Sequence, residues 1–291
     1  MKQIVLLLSF TVMFSLSVQG QRISTLWDEL TASEFTEGVQ KAEGVCLVPI
    51  GVVEKHGQHL PLGTDVLMVR EISRRAAEKE YCIVFPYYYG GQNFVATPQP
   101  GAIAYSAELL FKMLDETCRE IARNGMKKII LVNGHGGNNF FLPFFCQAQM
   151  ESPRDYVVYW LTPSADEETQ KKIRAMRKTT TGGHADEMES SNMMAAFPNL
   201  VKIDRATRES GDNQKLSILG ELTGLRWFAQ FPNHYAGDAK DANAAIGELS
   251  IESTATELAK LIKAVKADKA TPNLQEEYFK KNQSPLETKP R

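Results

Sequence analysis

Residues with versatile chemistry are scarce in this chain: of 291 residues only five are histidine and four are cysteine. Cys46, Cys82, Cys118 and Cys146 show no CxxC spacing, so no paired-thiolate motif is present. Cys46 and Cys82 lie in apolar runs and Cys118 and Cys146 in expected helices, so all four read as small core residues rather than as two disulfides. An excess of one charge sign is also missing, with 33 Lys plus Arg against 35 Asp plus Glu. Binding to a phosphate backbone calls for a basic surplus, so nucleic acid is not an expected partner. What is present, 43% hydrophobic, 9% aromatic and 23% charged residues, is the balance of a folded globular chain rather than a disordered, collagen-like or many-spanning membrane protein.

The first twenty residues differ from the rest. Lys2 precedes an apolar stretch from Ile4 to Leu16, which is shorter than the roughly 20 residues that span a bilayer. Ser17-Val18-Gln19-Gly20 then supplies small residues before a cut. This pattern predicts a secretory signal peptide over 1–20, a mature chain from Gln21, and export to a periplasm or the medium. No stable membrane insertion is expected after its removal. An uncleaved anchor is the alternative; no cysteine follows the apolar run to accept a lipid.

Short β-rich runs then alternate with helical ones: Val45 to Ile50, Val66 to Glu80, Cys82 to Pro86, Ala107 to Arg123 and Lys128 to Asn133. This rhythm predicts an α/β fold with a mainly parallel sheet. In Ala107 to Arg123, Leu110, Leu114, Cys118 and Ile121 share one face, and Gly125 follows as a stop. Asp155 to Leu161 reads as a strand, Asp166 to Lys178 as an exposed helix, Ser191 to Phe197 as the end of another, and Leu249 to Val265 as a last amphipathic helix. The reading is a single domain over 21–267 followed by a loosely ordered tail over 268–291, where Pro, Lys, Gln and Glu accumulate.

Four of the five histidines fall in three polar segments: Glu54-Lys-His56-Gly-Gln-His59, Asn133-Gly-His135-Gly-Gly-Asn138, and His184-Ala-Asp-Glu187-Met-Glu189. The first two follow predicted strands, and the carboxyl ends of strands are where open parallel sheets bind ligands. In an extended segment Glu54 and His56 point to the same side. Asp65, after the Pro61-Leu62-Gly63 turn, could fold back to bridge two cations; Asp65 or Thr64 could instead cap the next helix. An imidazole at His135 among glycines suits a metal better than a phosphate, because the segment lacks GxGxxG and P-loop spacing. The acids around His184 fit either a site or a solvated helix start, the latter above all for Asp186. Trp160, Trp227, Tyr87 to Tyr89 and His234 could line a pocket, although aromatic residues are more often core. The loops Gly90 to Tyr105 and Thr179 to Gly183 are expected to shape it.

Taken together, Pro49 to Asp65, Asn133 to Asn138 and His184 to Ser191 resemble the creatininase (creatinine amidohydrolase) family over roughly Val45 to Val265. The resemblance implies a three-layer α/β/α fold, two divalent metal ions (zinc, manganese or both), hydrolysis of an amide or cyclic amide carbon–nitrogen bond, and a homo-oligomer, often a hexamer. It makes Glu54 and His135 ligands of one metal, His56 a ligand of the other and Asp65 the bridge. Creatininase proper has a Tyr and a metal-binding Glu where this chain has Gly136 and Gly137, so creatinine itself is not the expected substrate. Relatives with the Gly-Gly form carry a Glu in the His-Ala segment. Glu187 is therefore the expected fifth ligand and Glu189 the second choice. With His184 as proton shuttle to the departing nitrogen, His184 and Glu187 are the expected catalytic residues of that segment. The competing readings are a dinuclear phosphoesterase and an exported metal-binding module without catalysis.

Overall fold

A computed structural model describes residues 23–180, 182–207, 209 and 223–287. The expected signal peptide and the start at Gln21 lie outside the described residues. Along the chain run α1 (Ala32–Lys41), β1 (Val45–Ile50), α2 (Thr64–Lys79), β2 (Ile83–Val84), α3 (Ala107–Arg123), β3 (Lys128–Asn133), α4 (Asn138–Ala148), β4 (Val157–Leu161), α5 (Glu167–Met176), α6 (Glu187–Ala196), α7 (Arg226–Gln230), α8 (Ala244–Ala267) and α9 (Ala270–Asn282).

β1 is buried at every position and β3 at all but its first, which is why both read as unbroken apolar runs rather than alternating ones. They pair in parallel at the centre of a sheet ordered β2-β1-β3-β4, with Ile50 opposite Asn133, so their carboxyl ends finish level. From β1 the chain crosses to β2 on one side, whereas from β3 it crosses to β4 on the other. Right-handed crossovers therefore put α2 on one face and α3 and α4 on the opposite face. α8 packs on α2 and β1, and α5 and α6 pack on α8, which completes an α/β/α sandwich of three layers. Side chains such as Leu114, Ile121, Ile130 and Phe145 are fully buried in its core, each stabilising by about 1.5–3 kcal/mol relative to exposure.

β1, α3 and β3 have the limits expected from sequence. α2 starts at Thr64 rather than Val66, β2 contracts to Ile83–Val84, and β4 starts at Val157 rather than Asp155. α8 extends the expected Leu249 to Val265 at both ends, and its earlier start follows from Asn243, which caps it through the Ala245 amide. The cysteines are all free thiols, three of them buried.

The reading of a loosely held tail needs correction. α9 docks on β4 with Phe279 buried, and the Gln275 side-chain amide donates to the carbonyls of Arg154 (3.2 Å) and Tyr156 (2.9 Å). Asp268 starts the helix by accepting from the Ala270 and Thr271 amides, at 2.8 and 3.1 Å, and from the Tyr159 hydroxyl at 2.9 Å. Composition alone does not reveal such tethers.

Candidate metal centre

β1 and β3 run parallel but send their crossovers to opposite sides of the sheet, and at such a switch point a crevice opens beyond the carboxyl ends of the strands. The loop after β1 delivers Glu54 and His56, the loop after β3 delivers His135, and the first turn of α2 delivers Asp65. Gly51 allows that turn to come so close: a Cβ there would stand 2.5 Å from the Val66 nitrogen and 2.6 Å from the Asp65 carbonyl carbon. Neither Thr64 nor Asp65 caps α2, since the cap position is Gly63 and the Thr64 hydroxyl donates to the Pro61 carbonyl. The Lys55 amine points away, to the Asn233 carbonyl and Glu209.

His135 is set by a chain of hydrogen bonds. The Asn133 Oδ1 accepts from the His135 main-chain amide and from Asn138 Nδ2 at 3.1 and 3.2 Å, Asn138 Oδ1 accepts from the Gln92 main-chain amide, and the Gln92 carbonyl accepts from His135 Nε2 at 2.9 Å. His56 and His184 repeat the pattern: His56 Nδ1 donates to the Glu54 carbonyl (3.2 Å) and His184 Nε2 to the Lys55 carbonyl (2.7 Å). In each ring one nitrogen holds its proton toward a main-chain carbonyl, which leaves the other, on the carboxylate side, to bind a cation through its lone pair or a proton in its place. Metal-binding histidines are oriented in this way.

His135 Nδ1 lies 2.9 Å from Asp65 Oδ2 and 3.3 Å from Glu54 Oε1, two buried oxygens with no hydrogen-bond partner among the described residues. His56 Nε2 lies 3.1 Å from Asp65 Oδ1, 3.7 Å from Glu189 Oε2 and 4.0 Å from Glu54 Oε1. Among the described residues three sets of donors converge to within 4.8 Å: Glu54, Asp65 and His135; His56, Asp65 and Glu189; and Glu54, His56 and His184. Two buried carboxylates, Glu54 and Asp65, with the partly exposed Glu189 beside them, need positive charge among them. Without a cation, protons supply it. Burial lowers the affinity of His56 for a proton, but Asp65, Glu189 and Glu54 outweigh it and raise its pKa to about 10. Burial likewise opposes charge on His135, and Glu54 and Asp65 raise it to about 10. Burial disfavours the Glu54 carboxylate too, yet His135, His234 and His56 hold it well below its ordinary range. The donor types, the orphaned oxygens and the ring orientations all fit divalent cations.

Glu187, the expected fifth ligand and catalytic residue, is not in this cluster. Asp186 caps α6 by accepting from the Met188 and Glu189 amides, so Glu187 and Glu189 leave the first turn about 200° apart. Glu189 faces His56, whereas the Glu187 carboxylate accepts from the Lys178 and Thr179 amides and the Thr179 hydroxyl at 2.7–3.1 Å. Withdrawal from bulk water pushes the Glu189 carboxyl up to about 8 against the pull of His56. His184 sits at the edge of the cluster, its Nδ1 3.7 Å from Glu54 Oε1; burial and the positive His56 push it down to about 3, so it is neutral. His59 stays out of the cluster and holds the Ser190 hydroxyl at 2.8 Å.

Sequence reasoning gave His234 only a pocket-lining part, yet its Nε2 is 3.1 Å from Glu54 Oε2. Its rarity as one of five histidines was the only signal. The carboxylates and histidines open on a cavity of about 820 Å³, lined among others by Gln92, Phe140, Gly183, Trp227 and Gln230. Both loops expected to shape the pocket thus contribute to it, while Trp160 is on the surface, 42% exposed.

The family model for creatininase, described as creatinine amidohydrolase, matches residues 28–262. Creatinine amidohydrolase of Pseudomonas putida is 28% identical over 196 residues, covering 61% of this chain and 74% of the relative. The 3-dehydro-scyllo-inosose hydrolase of Thermotoga maritima is 26% identical over 177 residues, covering 59% of this chain and 56% of the relative. A solved structure of "Creatininase Mn" superposes with a TM-score of 0.70 at 23% identity, covering 84% of this chain and all of that one, and establishes the likeness of fold.

Proposed function

The chain belongs to the creatininase family, and from that premise we propose that it is a dinuclear metal hydrolase cleaving a carbon–nitrogen bond in a small amide or cyclic amide other than creatinine. The observation that carries this reading is Asp65: its Oδ2 faces His135 beside Glu54, and its Oδ1 faces His56 beside Glu189. One carboxylate thus serves two donor sets, which would hold zinc or manganese. Such ions supply a Lewis acid for the scissile carbonyl and a water made acidic enough to attack near neutral pH.

The chain's own residues supply the rest. His184, neutral and fixed through Nε2 to the Lys55 carbonyl, offers Nδ1 to receive a proton and return it to the departing nitrogen. Glu54, Asp65 and Glu189 hold the charge of the centre, and the crevice shields it from bulk water. Nothing lies within 4 Å of where a side chain on Gly136 would begin, so the space beside Gly136 is open, whereas at Gly137 a Cβ would stand 2.5 Å from the Gln92 carbonyl oxygen and has no room. That opening, with a cavity of about 820 Å³, supports a substrate bulkier than creatinine.

Export remains part of this proposal and rests on residues 1–20; among the described residues no helix is long and apolar enough to cross a membrane. A homo-oligomer is also part of it, supported by Phe140 and Phe144 on α4, which are 90% and 61% exposed. The test is metal analysis of purified protein with a hydrolysis screen over cyclic amides, formamides and lactones. Two metals per chain and amide cleavage lost on chelation are expected. Turnover of phosphate esters alone, or amide cleavage unaffected by chelation, would overturn the reading.

A further inference from the structure

His234 makes contacts that the metal-ligand sets do not explain. It follows α7, is buried, and adopts a left-handed backbone with φ of 55°. Three bonds hold this turn: the His234 amide donates to the Phe231 carbonyl, and His184 and Ala236 exchange main-chain hydrogen bonds at 3.3 and 3.0 Å. The backbone that carries His184 and the turn that carries His234 are therefore one unit.

The protonation of the His234 ring follows from its neighbours. An indole nitrogen can only donate, and Trp227 Nε1 lies 3.2 Å from His234 Nδ1. Nδ1 is then the acceptor, and the ring's proton sits on Nε2, which donates across 3.1 Å to Glu54 Oε2. The other oxygen of the same carboxylate, Oε1, is buried, has no hydrogen-bond partner among the described residues, and stands 3.3 Å from His135 Nδ1. A terminal carboxylate torsion is broad and would otherwise let Glu54 swing or offer both oxygens.

We propose that Trp227 and His234 form a positioning relay, in which Trp227 fixes the tautomer of His234 and His234 clamps one oxygen of Glu54 so that the other is presented to the cation shared with Asp65 and His135. The relay rests on the metal-centre reading above. Neither residue is a ligand; both act through Glu54, as partners behind metal ligands commonly do.

The test is zinc titration of the metal-stripped full chain, read by competition with a chromophoric chelator, together with the imidazole 15N spectrum. In the unmodified chain the His234 Nδ1 resonance should be that of an unprotonated nitrogen. His234→Leu should weaken one of two zinc-binding steps by about 10- to 100-fold and leave the other unchanged. His234→Gln, whose amide nitrogen replaces the Nε2 donor, should bind within about threefold of the original chain by the same argument. Trp227→Phe keeps a ring but loses the donor, so it should weaken the same step and leave the His234 tautomer unfixed; it carries the test if the His234→Leu chain does not fold. Unchanged zinc binding in His234→Leu and Trp227→Phe, or equal weakening in His234→Gln and His234→Leu, would overturn the relay. If the unmodified chain takes up no zinc, manganese or cobalt, the metal-centre reading falls first and the relay with it.

Discussion

Glu187 and Glu189 stand two residues apart on α6 and face opposite ways. The sequence shows both acids near His184 but not where the helix begins, and a shift of the cap by two positions, about 200° of helix rotation, exchanges which acid meets the metal site. Asp186 decides it by capping. Glu189→Gln should therefore lose the metal position shared with His56, with partial rescue by added metal. Glu187→Gln should keep its metals yet destabilise the chain, by about 1–3 kcal/mol for buried donors left with a poorer acceptor, read as a lower thermal midpoint. Full metal content in Glu189→Gln with loss in Glu187→Gln would reverse the assignment. His184→Ala should retain both metals while turnover falls about 10²- to 10⁴-fold, and excess metal should not restore it. Loss of metal from that variant would instead make His184 a ligand through its grouping with Glu54 and His56.

Helices place these side chains, and their contacts expose them to substitutions far from the centre. Gly247 lets α8 touch α6: a Cβ there would lie 2.0 Å from the Ser191 carbonyl oxygen, main-chain atoms that cannot turn aside. Gly247→Ala should force the helices apart at about 1–3 kcal/mol and displace Glu189, so calorimetry and metal content should fall together. A variant with native melting and full metal content would show that α6 is not held by this contact. α1 carries a signal that periodicity overlooks, the capping box of Thr31 and Glu34. α4 was hidden by Pro143 in its interior. α9 depends on Asp268, whose pKa is lowered to about 2 by hydrogen bonds from Thr271, Tyr159 and Ala270. The folded value lies below the ordinary 3.8, so this stabilisation is present above about pH 4 and is lost as pH falls toward 2. Proteolysis within 270–282 should accelerate over that window, and Asp268→Asn should flatten the dependence. Equal acid sensitivity in both chains would count against it.

At the scale of the whole molecule, the sheet was the most legible part. β1 and β3 are fully covered strands whose apolar runs leave no other reading, and two histidine-bearing loops after them already locate a rim. The sequence could not show that β1 and β3 are neighbours, because strand order comes from the crossovers rather than from any local pattern. That adjacency brings Glu54, His56 and His135 to one crevice, and α2, returning over Gly51, adds Asp65. His234 was less legible because it approaches from a turn some 180 positions away in sequence. The claim that joins all of this is that Asp65 lies between two cations. Anomalous diffraction from crystals of the metal-loaded chain tests it most directly. The account predicts two peaks, one beside Glu54 and His135 and the other beside His56 and Glu189, with an Asp65 oxygen bound to each. A single peak, or two peaks that Asp65 does not bridge, would contradict it.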